Sequence, residues 1–156
     1  MMNTMSSESK KQKRLSEEVC KELYAKYETP ERVIKHCRAV GETGARIASA
    51  LNKAGYNFDV SLVRAAGLIH DLMRKSDNHG EAAADLLESL GYMQEAKAVR
   101  NHMRYEFNAP ESITETDIFC LADRLVKEDE YVGIDERVDY LIDKPGKTAE
   151  RTEILI

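Results

Sequence analysis

Few stretches tolerate anything but the inside of a helical core, and Ala65-Ala66-Gly67-Leu68-Ile69-His70-Asp71-Leu72-Met73-Arg74-Lys75 is one of them. Small and apolar residues run into an adjacent His-Asp pair and then, beyond Leu72 and Met73, into Arg74 and Lys75. An imidazole and a carboxylate are costly to bury unless hydrogen bonds, an ion pair or a shared cation satisfy both. Ala65, Ala66 and Gly67 allow a neighbouring helix to come close, and Asp59 or Ser61 can cap the start. The stretch therefore predicts a buried helix that carries two polar groups inward beside anion-binding cations.

The rest of the chain has the same helical period. Val19, Leu23 and Tyr27 share one face from Ser16 onward, and Thr29-Pro30-Glu31 predicts a helix start with Thr29 as cap and Pro30 in the first turn. The helix that follows carries Val33, His36, Cys37, Val40, Gly44, Ile47, Ala48 and Leu51 on one stripe and stops at Gly55, which puts His36 on the buried side. After a turn at Ser76–Gly80, helices are predicted over 81–90, closed by Gly91, and over about 93–103. A longer one is expected from Thr114 to about Glu130 with Ile118, Leu121, Ala122 and Leu125 inward, and a short one around Glu136–Ile142. No segment alternates as a strand does, so the fold class is all-α.

A chain of 156 residues fits one domain and buries roughly 68–70% of its unfolded surface, enough for a core without staples. Residues 1–14 are polar and aperiodic and read as a flexible N-terminal arm, with the domain over 15–143 and a C-terminal tail over 144–156. Cys20, Cys37 and Cys120 lack close C-x-x-C pairing and read as reduced, buried thiols. A formal net charge of −5 argues against a duplex nucleic-acid partner, which needs many phosphates neutralised. No apolar run reaches the ~20 residues that span a bilayer and no signal-peptide core is present, so no membrane partner and a cytoplasmic location are expected.

All four histidines, His36, His70, His79 and His102, fall on or beside apolar-faced helices, and Asp71 and Asp123 are the carboxylates most embedded in apolar context. Taken singly, each is more often a satisfied core residue; together they form a donor set. Imidazole with carboxylate suits first-row cations such as manganese, iron, cobalt, nickel or zinc, and the lack of thiolate pairs argues against a closed structural zinc site. That set is large enough for two metals with positions left for water and substrate.

The order His36, His70-Asp71, His79, His102, Asp123 resembles the HD-domain metal-dependent phosphohydrolases, specifically the dinuclear subset with two extra histidines between the pair and the last aspartate. The likeness runs from about Pro30 to Glu128. It includes Gly67-Leu68-Ile69-His70-Asp71, His79-Gly80 and Leu121-Ala122-Asp123-Arg124. Within the family the chain is most similar to small bacterial symmetrical dinucleoside tetraphosphate hydrolases, which also place a cation four residues after the His, here Arg74; the surroundings of His102 differ from theirs.

The resemblance implies an HD-type helical bundle holding two divalent ions. His36, His70, Asp71 and Asp123 would hold one and His79 and His102 the other, with Asp71 bridging and with Asp71 and His70 as the catalytic pair. A metal-bound hydroxide would attack phosphorus in a small nucleotide-type substrate. Arg74, Lys75, Arg104 and Arg124, with Lys127 beside them, are the cations placed to offset phosphate charge. The loop from Tyr105 to Ser112 would shape the substrate pocket. Two other readings stay open at this point: a mixed-valent diiron oxygenase on the same scaffold, and a non-catalytic nucleotide or metal sensor. A homodimer is also left open.

Overall fold

Helix α3, Val60–Ile69, buries Leu62, Val63, Ala65, Ala66, Gly67, Leu68 and Ile69, because apolar residues occupy nearly its whole circumference. A helix of that kind has to be surrounded. In the computed structural model, which describes residues 13–76, 78–100, 102 and 112–133, it is the central element. Around it stand α1 (Glu17–Lys26), α2 (Glu31–Lys53), α4 (His79–Ser89), α5 (Met93–Arg100) and α6 (Glu115–Leu125). Helices α1, α2, α5 and α6 touch α3, while α4 packs on α5. The fold is mostly helical, as the patterning predicts.

The closest crossing is between α2 and α3. A Cβ built on Gly67 would lie 2.6 Å from the Gly41 backbone, and one on Gly44 would lie 2.7 Å from Val63 Cγ1. The small residues before the His-Asp pair thus seat α2 against the central helix, and α2 carries His36. Gly55 follows α2 with φ of 112°, a left-handed turn that ends the chain's helical run.

Several boundaries and contacts differ from the sequence expectations. Thr29 does not cap α2; Pro30 holds that position, and the Thr29 hydroxyl donates instead to the Leu72 carbonyl at 3.0 Å. Tyr24 Oη donates to the Leu68 carbonyl. Both bonds satisfy carbonyls at or just past the C-terminal end of α3, which an uncapped helix leaves without partners. Helix α4 starts at His79, earlier than expected; α5 is described over Met93–Arg100, and residues 101 and 103 of the expected helix lie outside the described residues.

The helix expected from Thr114 to about Glu130 is shorter. Thr114 caps it through a capping box with Asp117, but it ends at Leu125, and β1 (Val126–Lys127) pairs antiparallel with β2 (Glu130–Tyr131). β-branched Val126 turns extended, which ends the helix and opens the hairpin. Leu121 points outward, 41% exposed, while Phe119 and Cys120 are buried in its place beside Ile118 and Ala122. All three cysteines are free and buried, and burial pushes the thiols of Cys20 and Cys120 up to about 12.

Lys13 and Arg14, at the end of the expected arm, are held to the fold. Lys13 Nζ donates to the Leu90 carbonyl at 2.9 Å, and Arg14 pairs with Asp59 at 2.7 Å and with Glu95 at 3.2 Å. Glu95 is fully buried and also accepts from Leu15 N. The expected helix at Glu136–Ile142 and the tail at 144–156 lie outside the described residues.

Candidate metal centre

Each polar group of the site stands where a helix begins or ends, or on a helix face turned to α3. His70 follows the last residue of α3 and Asp71 comes next in a turn, so both are carried to the interior, with side chains 1% and 3% exposed. His102 lies two residues beyond α5 with its side chain 2% exposed, and His79 is the first residue of α4. His36 lies within α2 and Asp123 within α6. Phe119, one turn before Asp123, packs its ring against those of His70 and His102 at 5.2 and 6.1 Å between centroids.

The structure brings His36, His70, Asp71, His79, His102 and Asp123 together around the Asp71 carboxylate. Oδ2 of Asp71 faces His70 Nε2 at 3.4 Å and His36 Nε2 at 3.9 Å. Oδ1 faces His79 Nε2 at 3.5 Å and His102 Nε2 at 3.6 Å. Asp123 Oδ1 completes the first side, 3.0 Å from His36 Nε2 and 3.3 Å from His70 Nε2. Two donor groups able to hold a cation therefore share one residue, His36–His70–Asp71 and Asp71–His79–His102.

The other ring nitrogens of His70, His102 and His36 are spoken for. Nδ1 of His70 lies 2.7 Å from the Gly67 carbonyl, that of His102 lies 2.7 Å from the Val99 carbonyl, and that of His36 lies 2.6 Å from the Glu128 carbonyl. A carbonyl only accepts, so each of these Nδ1 atoms carries a proton, and each Nε2 is aimed at the carboxylates. Lone pairs on both sides of such short gaps repel unless a proton or a cation lies between them. His70 Nε2, Asp71 Oδ1 and His79 Nε2 are buried without a hydrogen-bond partner, which costs about 1–3 kcal/mol for each. Divalent cations, coordinated by imidazole and carboxylate together, fit these orphaned atoms and this donor set.

Without a cation, the electrostatics put a proton on His70 in that place. Burial works against charge on His70, but Asp71 and Asp123 outweigh it and raise its pKa well above the usual imidazole value. Burial likewise works against the charges of Asp71 and Asp123, and His70 overrides it, holding both carboxylates below their ordinary range. Burial is the leading cause that lowers the pKa of His79, which keeps that ring neutral and free to donate its lone pair.

Among the cations, Arg74 stands at the site's rim, its side chain 48% exposed and its Nη1 donating to Asp71 Oδ2 at 2.9 Å. Lys75 is exposed. Arg124 lies back along α6, with Nη1 on the Cys120 carbonyl at 3.0 Å, and Lys127 sits in β1. Arg104 and nearly all of the Tyr105–Ser112 loop fall outside the described residues. Sequence reasoning missed the carbonyls of Gly67, Val99 and Glu128 and the hydroxyls of Thr29 and Tyr24. The carbonyls leave no trace in side-chain identity; buried Glu95 was legible, since it falls on the apolar face with Tyr92, Ala96 and Val99.

The chain belongs to the HD domain family, which matches residues 33–127 and so takes in five of the helices and all six converging side chains. HD domains bind divalent metals and are generally metal-dependent phosphohydrolases. The chain is also similar to an uncharacterized protein of Methanocaldococcus jannaschii, 42% identical over 65 residues, a match that covers 40% of this chain and 38% of that protein's length. No solved structure matches significantly. No helix among the described residues is long and apolar enough to cross a membrane.

Proposed function

We propose that this protein is a metal-dependent phosphohydrolase with a dinuclear centre, cleaving a phosphoanhydride or phosphoester bond of a small nucleotide-type substrate. The observation that carries the reading is the division of Asp71: one oxygen faces His36 and His70, the other faces His79 and His102. In this reading Asp71 would be common to both cation sites, with His36, His70 and Asp123 holding one divalent ion alongside it and His79 and His102 the other. Bound divalent cations supply a water of lowered pKa as nucleophile and offset charge on the phosphoryl oxygens.

The chain's own residues do the rest. His70, Asp71 and His102 form a floor that excludes water, with side chains only 1–3% exposed. His36, His79 and Asp123, with side chains 14–25% exposed, form the open edge from which substrate arrives. Arg74 at that edge offers its guanidinium to a non-bridging phosphoryl oxygen, and Lys75 adds positive charge nearby. This local charge reconciles an anionic substrate with a net charge of −5. The ligand order resembles that of the small bacterial symmetrical dinucleoside tetraphosphate hydrolases, which makes dinucleoside polyphosphates the first substrates to try.

The test is a panel of dinucleoside polyphosphates, cyclic dinucleotides and nucleoside monophosphates, assayed with manganese or iron and with product identification. Release of phosphate-bearing products that chelator abolishes supports the proposal. Dioxygen uptake with a mixed-valent iron spectrum and no hydrolysis would replace it with the oxygenase reading, and tight nucleotide binding without turnover would replace it with a sensor.

A further inference from the structure

His70 and His102 each orient their ring through a carbonyl three residues earlier, Gly67 and Val99. Such carbonyls lie in the last turn of a helix and have no partner within it, so a histidine just past the helix end finds one locally. His36 has no such option. It lies inside the 23-residue helix α2, where neighbouring carbonyls are taken by the helix itself. Its Nδ1 instead meets the carbonyl of Glu128, 92 positions away, at 2.6 Å.

Glu128 is an unusual residue to find there. It opens the two-residue loop between β1 and β2 with φ of 58°, a conformation that favours glycine. The other described non-glycine residue with positive φ, Glu28 at 52°, closes the C-terminal end of α1, where a left-handed residue is ordinary. The two-residue hairpin loop calls for a positive φ at this position, usually met by Gly, Asn or Asp, and the Glu128 side chain is exposed. What the turn achieves is to aim one main-chain carbonyl at His36. The hairpin is anchored for this, with Val126 buried and paired to Tyr131 and with Val132 N bonded to the Leu125 carbonyl at 2.9 Å.

We infer that the Glu128 main-chain carbonyl is a positioning group for His36, and that the hairpin over Val126–Tyr131 sets the affinity of the cation site built on His36, His70, Asp71 and Asp123. The inference rests on the metal reading above and adds the group that fixes the His36 tautomer. Partners of this kind typically contribute about 10–100-fold in metal affinity.

The experiment pairs a disruptive with a permissive change. Glu128→Pro locks φ near −65° and so turns the carbonyl away, whereas Glu128→Gly suits the left-handed turn and leaves the carbonyl in place. Titration with zinc should show one of two sites weakened about 10–100-fold in Glu128→Pro, and both sites within about twofold of wild type in Glu128→Gly. Long-range nitrogen–proton NMR of the wild-type imidazoles, with and without zinc, should place the His36 proton on Nδ1 in both states. A folded Glu128→Pro variant with both sites at wild-type affinity, or a His36 Nδ1 that carries no proton, would overturn the inference. The tautomer measurement decides the matter even if Glu128→Pro does not fold. Wild-type protein that binds no cation would sink the metal reading, and the tautomer would still report separately on the Glu128 contact.

Discussion

Oδ1 of Asp71 sits 3.6 Å from His102 Nε2, and the His102 ring cannot turn away because its Nδ1 is bonded to the Val99 carbonyl at 2.7 Å. Carboxylate oxygen and ring nitrogen are thus held face to face inside the protein. Helix α5 is built to place that ring: Ala96 and Val99 bury its inner face, and a Cβ added at Gly80 of α4 would lie 3.4 Å from His102 Cε1.

His102→Ala should therefore remove one cation and spare the other. Elemental analysis should fall from about two metals per chain to about one, with hydrolysis lost. Two metals still bound in the variant would take His102 out of the donor set.

Arg74 contributes through charge at the rim. Its exposed guanidinium already bonds a carboxylate oxygen of Asp71, the chemistry it would repeat with a phosphoryl oxygen. Arg74→Ala should raise KM for a phosphate ester about tenfold or more, as loss of a charged hydrogen bond implies, with metal content unchanged. An unaltered KM would remove Arg74 from the substrate contacts.

The crossing of α2 and α3 gives a prediction about stability. A methyl group on Gly67 would sit 2.6 Å from the backbone of Gly41, and backbone cannot move aside as a flexible side chain can. Gly67→Ala should destabilise the fold by about 1–3 kcal/mol or more, the range for overpacking, and because the shift separates His36 from Asp71 it should also weaken metal binding. A urea midpoint equal to wild type would contradict this crossing.

Much of this architecture is legible in the residues. Helix periodicity marks all the helices, Gly55 and Thr114 mark ends, and the six polar groups announce themselves by lying in apolar surroundings. What was not legible depends on partners far along the chain. Thr29 looks like a cap because Thr-Pro-Glu usually is one, yet the open carbonyl of Leu72 is the stronger demand on its hydroxyl. Leu121 fits an inward stripe only if α6 continues; once the chain turns extended at Val126, the face bearing Phe119 and Ala122 meets the core. The Glu128 carbonyl has no side-chain signature at all.

Metal removal should make stability depend on pH in a defined direction. Without cation, His70 is stabilised in its charged form by Asp71 and Asp123, so its contribution is complete below the ordinary imidazole pKa of about 6.5 and fades as pH rises through its elevated value. Asp71 and Asp123 have depressed pKa values, so theirs is present above the ordinary carboxylate pKa of about 3.9 and is lost as pH falls through the lower ones. Chelator-treated protein should lose urea resistance as pH rises above about 6.5, and zinc should abolish that loss by taking the place of the His70 Nε2 proton. A metal-free midpoint that rises with pH there would contradict the sign.

The most direct measurement is the number of divalent cations bound per chain by wild-type protein and by Asp71→Ala, read by elemental analysis after loading with manganese or iron. Asp71 is the one residue common to both donor groups, so two cations in wild type and none in the variant are expected, with phosphate-ester hydrolysis present only in the first. Wild-type protein that binds no cation, or an Asp71→Ala variant that keeps two, would contradict the shared centre on which the functional reading depends.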